Sequence, residues 1–447
     1  ANTTSSIMQL RNTANNAHIN LFTLAGGPAF AVDGTINSIN IGKGANSVAG
    51  NTVLGENALD ASVSGGNNTA IGNSALTALT SGSSNTVVGA SAGDAITTGV
   101  HNIAIGRGTL GVLTSGTHNV AVGDFALDAN ETASSNTAIG DSALGANTTG
   151  TDNVAIGASA LDANTTASNN TAVGKSALGA NTTGTQNVAV GALALDACTI
   201  GSRNVAIGEG SLSSSTTASD NTAIGRDCMF LNTTGHSNTA VGALALDANT
   251  TGNGNTCVGE SAGTLISTGS SNNAIGRQSL LVCTSGGQNS ALGVDALQSV
   301  STGSNNIGIG HDAGRSASPS GNITTASNQI CLGNNNHTDA FIKVAFTVTS
   351  DQRDKIEDGV VSHGLNFVNQ LKPKSFWFRK NRDSDEKHGD KRYGFYAQDI
   401  LALEGSDSVV IDSKDSENLK FKGDQLIPIL VNAIKELSVK VAALEAG

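Results

Sequence analysis

The chain has 447 residues and a formal net charge of −12, with 55 glycines, 4 prolines and 3% aromatic residues. Abundant glycine with so little proline and no three-residue period excludes collagen, and the scarcity of aromatic residues argues against one large globular core. Residues 1–349 carry a net charge of −10 and residues 350–447 a net charge of −2. An acidic chain without a basic stripe predicts no nucleic-acid binding.

The sequence shows no signal peptide and no apolar run long enough to span a bilayer, so we expect neither general secretion nor membrane insertion. The five cysteines lack the spacing of metal ligands, and we expect them to be small buried hydrophobic side chains. No cofactor and no metal are predicted. These cysteines are Cys198, Cys228, Cys257, Cys283 and Cys331.

Residues 1–45 precede the repeats and are predicted to form an attachment or capping segment. Residues 46–340 follow a strict repeat, in which the motif Asn-(Thr/Val)-Ala-(Ile/Val)-Gly places a glycine at every seventeenth position from Gly55 to Gly310. A unit this short cannot hold a helix pair, so we expect one short strand and turns per repeat. The prediction is a mainly β fold, a parallel β-solenoid whose coils stack at ~4.8 Å into a rod roughly 70 Å long.

The alternation within one repeat predicts which side chains share a face. In the segment 153–157, Val154 and Ile156 are expected to face the interior together with the leucine of the Ser-Ala-Leu segment. Ala155 and Gly157 would then face outward, where another backbone approaches closely. Stacked asparagines predict side-chain amide ladders between coils.

An acidic row shares one phase of the repeat: Asp60, Asp128, Asp162, Asp196 and Asp247. Such a row can bind cations, but turn capping by aspartate is the favoured interpretation. The shaft has few aromatic platforms for sugars and no convincing carboxylate pair for glycoside hydrolysis, although a pair formed across chains stays open.

The recurring sequence pattern over about residues 40–335 resembles the head repeats of trimeric autotransporter adhesins. It consists of Asn-Thr-Ala-Val-Gly, then Ala-Leu, then Asn-Thr-Thr-Gly. Those repeats are left-handed parallel β-rolls formed by three chains. The resemblance therefore implies a homotrimeric shaft.

Residues 341–447 differ in composition, with more charged and helix-forming residues, the one tryptophan and both tyrosines. Three segments occur in order: 350–355 (SDQRDK), 371–378 (LKPKSFWF) and 393–399 (YGFYAQD), followed by a terminal heptad helix. Together they resemble the intramolecular chaperone domain of phage tail spikes and fibres, the self-cleaving peptidase S74 family. Tyr396 and Asp399 depart from the commoner residues of that pattern. The resemblance implies a small α+β chaperone domain that drives trimerisation.

The resemblance also implies a catalytic dyad of Ser350 and Lys355 that cuts the bond between Thr349 and Ser350. A serine hydroxyl needs a base, and a lysine serves as one only if burial or a neighbouring cation lowers its pKa. Arg353 is a supporting candidate because it supplies positive charge. Asp351 is a second supporting candidate, although its carboxylate opposes a low lysine pKa, and its role stays open.

The terminal helix carries heptads, with residues 427, 434 and 441 at position a and residues 430, 437 and 444 at position d. Isoleucine and valine at a with leucine at d favour two strands, whereas the family resemblance implies three. An amphipathic helix packed on its own domain is the alternative.

The resemblance thus implies a phage tail-fibre protein of the virion, assembled in the host cytoplasm. Its N-terminus would bind tail or baseplate proteins, and its partner on the host would be a surface glycan or protein. One alternative is a non-enzymatic bacterial trimeric surface adhesin. Another is a tail spike with polysaccharide depolymerase activity.

Overall fold

The computed structural model describes residues 7–11, 18–24, 27–28, 34–36, 38–341, 343, 350–379, 382–406, 408–414, 416–417 and 419–447. The chain forms two compact units, Ala1–Ile309 with Thr324–Ile330, and Gly310–Ile323 with Cys331–Gly447. The fold is mainly β, a parallel β-solenoid of about fifteen turns followed by a small α+β region that ends in a helix. This confirms the predicted fold class of the single chain, whereas the homotrimer and the proposed boundaries after residues 45 and 340 stay predictions.

Antiparallel strands precede the solenoid. Ile7–Arg11, His18–Leu24 and Gly27–Pro28 form one small sheet. Gly34–Ile36 pairs with Ile39–Gly42, which in turn pairs with the first solenoid strand. This pairing covers one open edge of the parallel stack, where unpaired N–H and C=O groups would otherwise invite aggregation.

Each solenoid strand pairs in parallel with the equivalent strand of the next repeat, with no register shift from the first pair to the last. The strands are Thr52–Gly55, Thr69–Ile71, Thr86–Val88, Ile103–Ile105, Val120–Val122, Thr137–Ile139, Val154–Ile156, Thr171–Val173, Val188–Val190, Val205–Ile207, Thr222–Ile224, Thr239–Val241, Thr256–Val258, Asn273–Ile275, Ser290–Leu292 and Ile307–Ile309. A further strand is Ile330–Leu332, and a single 3₁₀ turn, Ala45–Ser47, precedes the stack.

The interior of most coils is filled by small residues and leucine. Ala155 at the strand centre and Leu161 in the following turn are fully buried, whereas Val154 is half-buried and Ile156 is 37% exposed. The prediction that valine and isoleucine fill the interior was therefore wrong for the single chain. Ala155 and Leu161 line the interior instead, and in two other coils a second leucine, Leu79 or Leu113, is fully buried beside Leu76 or Leu110.

Two coils fill their interior with a different residue. Most coils place a leucine in the left-handed region, as at Leu161 with φ 52°. Two coils carry Gly93 or Gly263 there instead, and an added Cβ would lie 2.9 Å from Ile96 or Ile266, three residues later. In these two coils the isoleucine therefore fills space beside the glycine that the leucine side chain occupies in most others.

One asparagine per coil, from Asn51 to Asn306, forms a buried ladder, as predicted. Asn136 is representative: its backbone N–H donates to Asn119 Oδ1 (3.1 Å), and its Nδ2 donates to the Gly150 carbonyl (2.8 Å). Its own Oδ1 accepts from both the backbone N–H and the Nδ2 of Asn153. Every coil is therefore joined to the next by buried asparagine amides whose hydrogen bonds are satisfied.

A second, shorter ladder lies in the following turn. Asn147, Asn164 and Asn181 are linked by Nδ2-to-Oδ1 bonds of 2.9 and 3.1 Å. Cys198 and then Ser215 occupy the next two positions. Asn181 Oδ1 and Ser215 Oγ are both buried without a hydrogen-bond partner among the described residues. The substitution of cysteine for asparagine thus leaves a gap in the ladder.

The C-terminal region contains helices α1 (Leu365–Gln370), α2 (Ala397–Glu404) and α3 (Leu426–Glu445). Lys374–Arg379 pairs antiparallel with Lys387–Gly394, and Ile411–Asp412 pairs with Lys420–Phe421. Single 3₁₀ turns are Gln352–Asp354 and Gly423–Gln425. In the part of the chain that the structure describes, no helix has the length and apolar character needed to cross a bilayer.

The core of this region is small. It is made by the buried side chains Phe367, Ile400, Val410, Ile411, Leu426 and Ile429. The buried carboxylate of Glu404 accepts hydrogen bonds from the backbone N–H groups of Val409, Val410 and Ile411. It therefore fixes the loop after α2 onto the core.

Candidate active site

The candidate dyad lies in a short turn near the start of the C-terminal region. Lys355 Nζ donates to Ser350 Oγ at 2.5 Å and lies 3.4 Å from the Ser350 carbonyl oxygen. The 3₁₀ turn Gln352–Asp354 reverses the chain between the two residues. The sequence therefore predicted a pair that the fold brings into direct contact.

Asp351 builds this turn. Its side chain caps the 3₁₀ turn by accepting the backbone N–H of Arg353 at 2.9 Å. The Arg353 guanidinium also binds the same carboxylate, with Nη2 2.6 Å from Oδ2. The side-chain hydrogen bond from Arg353 lowers the pKa of Asp351, and the reciprocal bond raises the pKa of Arg353. The positive charge of Arg353 is thus paired with Asp351.

The environment of the dyad is open in the single chain, where Ser350 and Lys355 are both exposed. The described residues of one chain therefore supply no burial that would hold the lysine neutral. Thr349, the other half of the predicted cleavage site, lies outside the described residues.

The segment that follows the turn is tied to α3. Asn432 Nδ2 donates to the His363 carbonyl at 2.9 Å, and Glu436 Oε2 accepts the backbone N–H of Leu365 at 2.8 Å. Gly364 lies between these contacts, and a Cβ there would clash with the Glu436 carboxylate. A side chain at this position would displace the Glu436 carboxylate from the Leu365 N–H.

Helix α3 has two apolar faces. Leu426, Ile429 and Ala433 are buried against the helix's own domain. The heptad face is uncovered in the single chain, with Ile427 60% and Ile434 63% exposed. The alternative of an amphipathic helix packed on its own domain therefore holds for the buried face, whereas the coiled coil stays a prediction for the heptad face. The residues of the buried face have i, i+3, i+7 spacing, which indicates an amphipathic helix and was not used in the heptad interpretation.

The shaft carries a second uncovered apolar surface, which we call the aliphatic strip. It consists of the last residue of each solenoid strand, or in the first strand the residue before its closing glycine. Every member is isoleucine, valine or leucine, from Leu54 to Ile309. None is buried in the single chain; Ile105 is 40% exposed and Ile139 is 39% exposed. A continuous aliphatic surface of this length is unusual on a monomer and indicates an interaction surface.

The acidic row does not gather into a cation site. Asp128, Asp162 and Asp196 are two coils apart, so neighbouring carboxylates are separated by ~10 Å at the strand spacing. Gly145 lies between two of them, and its missing side chain leaves room for the carboxylate of Asp162. Burial, reinforced by Asp94, raises the pKa of Asp128. The separation is too large for one cation to bridge, since calcium ligands lie at about 2.3–2.6 Å.

The architecture defines the class of protein: it is a parallel β-solenoid followed by a small α+β module that ends in a helix. Residues 350–409 match the family model described as the chaperone of endosialidase, peptidase S74. The match implies a self-cleaving peptidase domain and a protein of the tail-fibre or tail-spike type. It covers a minor part of the chain and begins at Ser350. No match was found among curated proteins or among solved structures.

Proposed function

We propose that this chain is the subunit of a homotrimeric phage tail fibre that assembles in the host cytoplasm and becomes part of the virion. Its C-terminal chaperone domain drives trimerisation and is then released by a cut between Thr349 and Ser350. The N-terminal segment binds tail or baseplate proteins, and the shaft attaches the virion to a host surface glycan or protein. The observation that carries the proposal is the contact between Lys355 Nζ and Ser350 Oγ at the first residue of the matched chaperone domain.

The chemistry of the cut follows from that contact. Lys355, in its neutral form, accepts the proton of the Ser350 hydroxyl while Oγ attacks the Thr349 carbonyl carbon. The Thr349–Ser350 amide bond breaks, the Ser350 nitrogen leaves as an amine, and Thr349 becomes esterified to Oγ. Water then hydrolyses the ester to give a Thr349 carboxylate and a free Ser350 hydroxyl. One turnover consumes the substrate bond, so the domain acts once.

Trimerisation would bury the apolar surfaces and the dyad that are exposed in the single chain. Three parallel copies can place their aliphatic strips around one axis, which removes a continuous apolar surface from water. The uncovered heptad face of α3 provides a second surface of the same kind at the C-terminus. Burial of the dyad between chains would desolvate Lys355 and favour its neutral form. Assembly would then precede cleavage.

A chaperone domain is needed because the shaft cannot choose its own register. Sliding one copy by a single repeat superimposes every aliphatic residue and every asparagine on an equivalent one, so slipped trimers lose little except their overhanging ends. The module has no such repeat. Its assembly at the C-terminus aligns the three chains before the shaft winds, and its removal afterwards makes the alignment irreversible.

The experiment that tests cleavage is expression of the whole chain with mass spectrometry of the products. We expect a shaft of 349 residues and a fragment of 98 residues that begins at Ser350. Ser350→Ala and Lys355→Ala should each give one uncut chain, and native mass should show three chains in every case. Clean cutting at the same bond in Ser350→Ala would refute the dyad, and a native dimer would refute the trimer.

The attachment role is tested separately on virions and cells. Antibodies against the shaft should label tail fibres in electron micrographs, and the purified, cut protein should bind host cells. Loss of capsule from those cells would instead favour a depolymerase, and labelling of a bacterial surface without virions would favour an adhesin.

A further inference from the structure

We propose that Asp351 is the positioning residue of the self-cleavage reaction, and that Arg353 serves it by neutralising its carboxylate. The inference rests on the proposed dyad and goes beyond it, because it assigns separate jobs to the two charged residues between Ser350 and Lys355. Asp351 folds the turn that brings the base to the nucleophile. Arg353 prevents the same carboxylate from holding a proton on that base.

The positioning role follows from the hydrogen bonds of the turn. The Asp351 carboxylate accepts the Arg353 backbone N–H at 2.9 Å, and the turn closes with the Lys355 N–H donating to the Gln352 carbonyl at 3.1 Å. Lys355 then lies in extended backbone, with φ −125° and ψ 144°, and its side chain reaches back to Ser350. No residue of the turn is buried in the single chain, so packing within that chain does not hold it. The cap is therefore the main local constraint on the distance between Nζ and Oγ.

The neutralising role follows from where the Asp351 oxygens point. Both oxygens bind the Arg353 guanidinium, with Nε 3.1 Å from Oδ1 and Nη2 2.6 Å from Oδ2. Lys355 Nζ instead contacts the hydroxyl and carbonyl oxygens of Ser350. A free carboxylate in the same turn would favour the ammonium form of Lys355 and withdraw the base. Pairing with Arg353 cancels that charge, while the other charged residue of the turn, Asp354, is unchanged by it.

Side-chain geometry and charge can be separated by substitution. Asparagine caps turns about as well as aspartate but carries no charge, whereas alanine does not cap. Cell-free translation with labelled methionine follows the reaction, since Met8 and Met229 both lie N-terminal to the cut and report the uncut and cut chains. We expect Asp351→Asn to be cut at least as fast as wild type and Asp351→Ala to be cut at least tenfold more slowly. Native mass confirms that each variant assembles.

The charge is tested by the pH dependence of the cleavage rate. Arg353→Gln removes the cation that pairs with the Asp351 carboxylate, so the midpoint of the pH profile should move to higher pH, by at least a few tenths of a unit, since burial between chains weakens screening. Asp351→Asn combined with Arg353→Gln removes both charges and should return the midpoint to that of wild type.

Two results would overturn the inference while leaving the proposed dyad intact. One is wild-type cutting by Asp351→Ala, and the other is equally slow cutting by Asp351→Asn and Asp351→Ala. An unchanged midpoint in Arg353→Gln would overturn the neutralising role. Cutting of Ser350→Ala, in contrast, would refute the proposed function itself, so the two failures are distinguishable.

Discussion

The aliphatic strip offers a direct test of how shaft chains associate. We consider Ile156→Asp, in the middle of the strip. Ile156 is 37% exposed in the single chain, and the interior of its coil is lined instead by Ala155 and Leu161. The coil should therefore still form, and the substitution should act on the contact between chains.

The magnitude follows from the exposed fraction. Complete burial of an isoleucine side chain contributes about 3 kcal/mol, so covering the remaining third contributes about 1 kcal/mol per chain. An unpaired carboxylate buried in place of isoleucine costs several kcal/mol more. In a trimer the three carboxylates lie at one level around the axis, and the combined loss is on the order of 10 kcal/mol.

The assay is guanidinium-induced dissociation of the assembled, cut protein, followed by light scattering and circular dichroism. Leu193→Asp is the matched control, because Leu193 is 45% exposed, lies off the strip, and occupies the repeat phase where another coil carries Asp227. We expect a clearly lower midpoint for Ile156→Asp and an unchanged midpoint for Leu193→Asp. Equal midpoints for the two variants would show that the strip is not buried between chains.

Three further predictions concern packing within the chain. Cys198→Asn should raise the stability of the protein by about 1–3 kcal/mol in thermal melts, because the new amide offers hydrogen-bond partners to Asn181 Oδ1 and Ser215 Oγ. Cys283→Asn is the control and should destabilise the protein, because the equivalent residues of the neighbouring coils are Ile266 and Val300. Equal effects of the two substitutions would contradict the ladder account. Glu404→Gln should increase hydrogen exchange in the loop after α2, since one amide oxygen cannot replace a carboxylate that accepts three N–H groups; unchanged exchange would exclude that role. The five buried thiols should resist labelling at pH 8 until the protein unfolds, as burial raises the pKa of Cys198 to about 11, and rapid labelling of the native protein would contradict this.

Much of the shaft could be predicted from the sequence because the 17-residue period of the sequence is the length of one coil. A glycine at the same position of every repeat requires equal coils, and equal coils place like residues on like residues. The asparagine ladder followed from that alone. The orientation of Val154 and Ile156 did not, because alternation shows which side chains share a face but not which face is inside. The structure places the alanine face inside, where Ala155 and Leu161 are fully buried.

The candidate site was predicted only in part, since its spacing came from family resemblance. The contact between Ser350 and Lys355 required a chain reversal between them, and the signal for it was present in Asp351, a residue type that caps turns. The pairing of Arg353 with that aspartate was not readable from sequence. A charged residue two positions away can face either neighbour, and the backbone of the turn decides which.

The unbroken register of the repeats has a consequence for how such a shaft can change in length. Removing residues 136–152 joins Ser135 to Asn153, a junction equivalent to the native Ser135–Asn136, and leaves every row aligned. The rod becomes shorter by one coil, ~4.8 Å. A deletion longer or shorter than this by a single residue would instead rotate the following coils out of alignment. The reach of the shaft is thus adjustable in whole coils by duplication or deletion, while both ends keep their structure.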